Sequence, residues 1–173
     1  MEKLSAQENV LSLFFDFPTT SFYLREIARK LDLSTSVVSN SLNQLSSKNL
    51  ILLSKKRFIY EAKANLENEK FKLYKRVYNL EKIYFSGLFD YLLDNFGLDT
   101  IVLFGSYSRG EDSEKSDVDI AIFSNFKKLD LAKFEKLLNR SINIEFIDFK
   151  KAETSLKTSL INGIVLRGSI QYG

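Results

Sequence analysis

Asp117 and Asp119 stand one residue apart at the head of an apolar run, SDVDIAIF (Ser116–Phe123). Aspartate is depleted in strands, and a carboxylate at a buried strand end costs free energy unless something pairs with it. In an extended run side chains alternate, so Asp117, Asp119 and Ala121 project to one face and Val118, Ile120 and Ile122 to the other. Residues two apart on a strand lie roughly 6.5–7 Å apart along the backbone, near enough for both carboxylates to grip one cation or to bridge two. A divalent cation therefore explains the pair; the plainer alternative is that Asp117 caps a turn and Asp119 faces solvent. Upstream, the apolar run TIVLF (Thr100–Phe104) stops at Gly105-Ser106 and passes into SYSRGE. A strand that closes on Gly-Ser before a helix gathers free backbone N–H groups and a hydroxyl at one point, which suits a phosphate tail. Gly105 permits close approach of the backbone, and Ser106 adds a hydroxyl contact. Metal binding calls for a third carboxylate. SINIEFIDF (Ser141–Phe149) is a further strand candidate, with Asn143, Glu145 and Ile147 on one face and Asp148 on the other. Parity leaves open which face meets the aspartates.

Composition narrows the chemistry. The 173 residues contain no cysteine and no histidine, which excludes disulfides, thiolate or imidazole metal sites, cysteine nucleophiles and the usual general base. Catalysis would rest on carboxylates, hydroxyls, cations and a hard metal such as magnesium. No signal-peptide pattern opens the chain and no apolar run reaches the roughly 20 residues of a membrane span, so the expectation is a soluble cytoplasmic protein without a membrane partner. Net charge is only +3, but Lys48–Arg76 holds nine basic and three acidic residues. Such a patch suits a polyanion, although a solvated helix face reads the same way.

The elements before the Gly-Ser turn fall into two groups. Ser5-Ala-Gln-Glu8 is a capping box for a first helix that ends before Pro18. LREIARKL (Leu24–Leu31) and a segment capped by Ser34, with Val38, Leu42 and Leu45 at helical spacing, predict two more helices. ILLS and RFIYEA then predict a β-hairpin carrying Lys55 and Lys56. From Asn65 to Phe96 the residues Leu66, Leu73, Val77, Leu80, Tyr84, Leu88 and Leu92 share one helical face, with Asn65 as cap, Gly87 as a break point and Gly97 as terminator. The favoured reading is a connector helix packed on both flanking domains; the bolder one is a homodimer seam.

Two resemblances follow from these motifs. Residues 5–63 resemble the winged helix-turn-helix domains of prokaryotic regulators, with the recognition helix at about Thr35–Lys48 and the wing tip at Ser54–Arg57. The resemblance implies DNA contacts from Ser36, Asn40, Asn43 and Gln44 in the groove and from Lys55, Lys56 and Arg57 on phosphate. Asn and Gln read adenine edges, but no arginine or lysine precedes Lys48 in that helix. Winged domains also serve as protein-docking modules.

The combination G-S-x-x-R-G followed by S-D-x-D resembles the signature of the DNA polymerase β-like nucleotidyltransferase superfamily, in its minimal nucleotidyltransferase branch, over about residues 98–170. The implied fold class is α+β in two domains: a winged helix over residues 1–64, a connecting helix over 65–97, and an α/β nucleotidyltransferase domain with a mixed sheet over 98–173. The resemblance implies Asp117, Asp119 and Glu145 as catalytic ligands of two Mg2+ ions, with Asp119 shared by both. Glu145 falls where the branch has its third aspartate. Gly105, Ser106, Arg109 and Ser116 would hold a nucleoside triphosphate, ATP above all. The implied reaction moves AMP to an acceptor hydroxyl on a partner protein or RNA; members of the branch act as antitoxins that modify HEPN-type ribonuclease toxins. The alternative is a DNA-binding regulator whose nucleotidyltransferase domain senses nucleotide or is inert.

Overall fold

The computed structural model describes residues 5–56 and 59–171 and divides the chain into two compact units, Met1–Tyr74 and Lys75–Gly173. Arg57, expected at the wing tip, lies outside the described residues.

In the first unit, α1 (Ala6–Asp16) begins at the expected capping box, with Glu8 N–H donating to the Ser5 hydroxyl and Ser5 N–H to the Glu8 carboxylate. A two-residue strand β1 (Phe22–Tyr23) leads into α2 (Leu24–Leu31), and Ser34 caps α3 (Thr35–Ser47) by accepting from Val37 N–H. Strands β2 (Ile51–Lys56) and β3 (Ile59–Ala64) pair antiparallel, giving a three-stranded sheet of order β1-β3-β2. Val10, Phe14, Ile27, Val38, Leu42 and Leu45 are buried. Each such side chain contributes roughly 1.5–3 kcal/mol on leaving water, so the helical periodicity by itself accounts for this core.

The segment read as a connecting helix with a break point at Gly87 is two helices, α4 (Glu69–Phe85) and α5 (Leu88–Phe96). Gly87 breaks it with φ +77°, a left-handed conformation that costs an L side chain about 1–2 kcal/mol. The start also differs: Asn68, not Asn65, caps α4 by accepting from the N–H groups of Lys70 and Phe71, while the Asn65 amide donates to Asn49. Of the apolar face read from the sequence, Leu88 and Leu92 on α5 are buried as expected, but on α4 Leu73 and Val77 are each 57 % accessible. The buried face of α4 is Phe71, Lys75, Asn79 and Ile83.

The second unit is built on a four-stranded mixed sheet of order β6-β5-β4-β7. Its strands are β4 (Ile101–Phe104), β5 (Val118–Ile122), β6 (Ile142–Phe146) and β7 (Ile164–Arg167). β4 runs antiparallel to β5 and β7, while β5 and β6 are parallel and joined through α7 (Ala132–Leu138). Period-two alternation sorts the strands into two faces. Ile101, Leu103, Val118, Ile120 and Ile122 pack with Ile83, Leu88, Leu92, Phe134 and Leu138. Val102, Phe104 and Ala121 pack on the other side with Leu160 of α8 (Thr154–Ile161). Among the described residues no helix is long and apolar enough to cross a membrane.

Candidate active site

β4 ends where the site begins. Phe104 is in register with Asp119, so the chain leaves β4 beside that carboxylate and turns at Gly105 into the short helix α6 (Gly105–Arg109). Gly105 has φ +72°, and a Cβ built on it would lie 2.4 Å from Asp119 Oδ2. The absent side chain is therefore the space that the Asp119 carboxylate fills. The Gly-Ser turn and the acidic pair, distant in sequence, are in van der Waals contact through this one residue.

Asp119 lies on the face of β5 that carries Ala121, and Asp117 immediately precedes the strand and is exposed. Ser108 is buried and donates its hydroxyl to the Gly105 carbonyl, closing α6 on itself. Arg109 Nε donates to Glu111 Oε2 at 2.7 Å, both side chains being about half exposed, so its guanidinium is held beside the turn. Ser116 anchors the loop before Asp117, accepting from Ser113 N–H at 2.9 Å.

Glu145 is not brought to the aspartates. β5 and β6 pair in parallel with Asp119 opposite Asn143 and Ala121 opposite Glu145. Glu145 shares the face of Asp119 but sits one pleat repeat further along, roughly 6.6 Å by strand rise. Asn143 takes the adjacent place, with Nδ2 donating to Asp119 Oδ1 at 3.2 Å. Among the described residues no group of three or more His, Cys, Asp or Glu side chains is arranged to hold a metal. Asp148, the other acid of that segment, pairs with Lys151, whose ammonium holds its carboxyl below the ordinary range.

A buried polar cluster that sequence reasoning missed fixes the loop joining the turn to the aspartates. Asp112, almost fully buried, accepts at Oδ1 from Lys75 Nζ and, at 2.7 Å, from Asn79 Nδ2. Arg140 Nη2 lies 3.5 Å from Asp112 Oδ2, and Asn79 Nδ2 also donates to the Tyr107 carbonyl at 2.9 Å. Unpaired, any of these charges would be expensive to bury; together they tie α4, α6 and the start of β6 to one carboxylate. Lys75 thus leaves the basic patch to which its sequence neighbourhood assigns it. The spacing of Lys75 and Asn79, i and i+4 on an otherwise apolar face with Phe71 and Ile83, was the available signal.

The donors suit a hard cation. Two carboxylates on the Asp117–Asp119 segment, one seated where a Cβ would otherwise stand, match the one or two protein carboxylates with which Mg2+ joins substrate phosphates. On the first unit, Ser36, Asn40, Asn43 and Gln44 are exposed along α3, and Lys55 and Lys56 fall in β2 opposite Tyr60 and Ile59.

Residues 88–169 match the family model described as polymerase beta, nucleotidyltransferase. A protein of Methanocaldococcus jannaschii named "Putative protein adenylyltransferase MJ1379" is 36 % identical over 70 residues, 40 % of this chain. The match spans 62 % of that relative's length. No solved structure matches the chain.

Proposed function

We propose that the chain is a Mg2+-dependent nucleotidyltransferase that moves AMP from ATP to a hydroxyl of a partner protein. The observation that carries this reading is the contact between Gly105 and Asp119, which joins a phosphate-binding turn to a carboxylate pair. The relative's printed name supports adenylyl transfer to protein over transfer to RNA. A HEPN-type toxin as the acceptor, with the chain as its antitoxin, is the specific form the sequence resemblance suggests.

In this reading the acceptor oxygen forms a bond to the α-phosphorus, the bond from that phosphorus to the bridging oxygen breaks, pyrophosphate leaves, and the hydroxyl proton passes to solvent. Backbone N–H groups at Gly105–Ser106 and the Ser106 hydroxyl orient the phosphates. Arg109, steadied by Glu111, faces the leaving group, and the buried Asp112 cluster keeps the turn and the aspartates at fixed separation. Asp117 and Asp119 would hold Mg2+, which when bound neutralises phosphate charge. Positioning and charge stabilisation supply the rate, so the lack of histidine is no obstacle.

The order α1-β1-α2-α3-β2-β3 of the first unit supports a winged helix that targets DNA or the acceptor, with Ser36, Asn40, Asn43 and Gln44 on its reading helix. One observation favours a second reading, a nucleotide-sensing regulator with little transfer: the residue beside Asp119 on β6 is an amide. Incubation with α-labelled ATP, Mg2+ and lysate separates the two. Transfer predicts covalent label on a macromolecule, lost in Asp119→Asn; nucleotide binding with no label in any fraction promotes the regulator.

A further inference from the structure

We infer that this chain's aspartate site holds a single divalent ion, because Asn143 occupies the place from which a third carboxylate would have to reach. The inference rests on the nucleotidyl-transfer reading and restricts it. In-register residues of parallel strands project to the same face, so the side chain next to Asp119 on β6 is that of Asn143. An ionised carboxylate only accepts, so the amide turns its NH2 toward Asp119, as the 3.2 Å contact from Nδ2 to Oδ1 records. That geometry has two consequences. The NH2 group takes up an Asp119 lone pair that a second ion would need, and the amide nitrogen cannot itself ligate a cation. Replacing a carboxylate by an amide also lowers the charge of the donor set by one unit.

The other acids do not restore it. Glu145 is a pleat repeat away opposite Ala121, Glu111 is paired with Arg109, and Asp112 is buried against Lys75, Asn79 and Arg140. Two carboxylates suffice for one Mg2+ arriving with the triphosphate, since Mg2+ takes much of its shell from phosphate and water. They leave a second ion one carboxylate ligand short. The site thus retains the donors that accompany nucleotide and lacks those facing the acceptor. This predicts firm nucleotide binding with slow transfer, and a gain of function on restoring the acid.

Counting Mn2+ ions tests this on the full-length chain. Binding is titrated by electron paramagnetic resonance in the presence of saturating α,β-methylene-ATP, for wild type, Asn143→Asp and Asn143→Ala, with circular dichroism to check folding. Wild type is expected to bind one ion per chain. Asn143→Asp is expected to bind a second, or to tighten Mn2+ binding by roughly ten- to a hundredfold, the range set by one added charge near the protein surface. Asn143→Ala, which drops the amide without adding charge, is expected to retain the single ion even if the aspartate variant folds poorly. Two ions on wild type, no tightening in folded Asn143→Asp, or loss of the ion in Asn143→Ala overturns the inference and leaves the transfer reading standing. No ion on wild type with nucleotide present overturns both.

Discussion

Substituting alanine for Gly105 separates backbone strain from damage to the site. At φ +72° an L residue costs about 1–2 kcal/mol, and Gly87, at φ +77° with nothing within 4 Å of where a methyl would stand, incurs the same cost without a steric neighbour. Gly87→Ala therefore measures strain by itself, a melting-temperature drop of roughly 2–8 °C for a chain of this size. Gly105→Ala adds a methyl 2.4 Å from Asp119 Oδ2, and reaching even a tight 3.0 Å contact requires the carboxylate to move 0.6 Å. Asp119 is half-buried and can swing toward Asn143, so the extra loss of stability stays within about 1 kcal/mol of the Gly87→Ala value, the cost of one off-rotamer side chain. Its effect on chemistry is larger, because a misplacement approaching 1 Å at a reacting centre costs on the order of 100-fold. The assay pairs thermal unfolding of both variants with label transfer from ATP. Equal melting shifts with transfer intact in both variants would refute the claim that Gly105 exists to seat Asp119.

Other outcomes follow from the same geometry. Asp119→Asn should abolish transfer while circular dichroism and melting stay near wild type, since its carboxylate is a partly exposed strand-end group. Asp112→Ala removes the buried carboxylate that Lys75, Asn79 and Arg140 share and should cost about 3–5 kcal/mol in urea unfolding, whereas a surface pair such as Arg109–Glu111 should be worth at most about 1 kcal/mol. If α3 reads DNA, Asn40→Ala and Asn43→Ala should each weaken a selected duplex by about 1–3 kcal/mol at the adenines they contact, in a gel shift that falls steeply with salt; unchanged affinity assigns the unit to protein docking. The Ser5 hydroxyl, then the Ser5 N–H, hold the Glu8 carboxyl below its ordinary value. The α1 cap is thus fully present above the unfolded carboxylate pKa and is lost as pH falls through the lower folded one; NMR titration of Glu8 should shift upward in Ser5→Ala.

Local signals carried much of this fold into view. Ser5 and Ser34 declare their helices because a hydroxyl three residues before a free N–H can act within one turn, and Gly87 and Gly97 mark helix ends through backbone freedom. SDVDIAIF and the Gly-Ser turn mark the site because their alternation and turn chemistry are local as well. What depended on tertiary partners stayed hidden. On α4 the Leu73–Val77–Tyr84 face looks like core, yet the buried face includes Lys75 and Asn79, since Asp112 and the Tyr107 carbonyl supply partners that periodicity cannot foresee. Glu145 illustrates the same limit in a sheet. Alternation correctly puts it on the face with Asn143, but the offset between β5 and β6 is set through the α7 crossover, and an offset of two residues exchanges one for the other.

Paramagnetic broadening tests most directly whether the Gly105–Asp119 contact is the ion and nucleotide locus. Adding substoichiometric Mn2+ with α,β-methylene-ATP to 15N-labelled protein should broaden the amides of Gly105, Ser106, Asp117, Asp119 and Asn143 first. Amides of α3 and of the opposite sheet end near Phe126 and Phe149 should stay sharp. Broadening centred at either of those places, or none at the turn with nucleotide bound, would contradict the account.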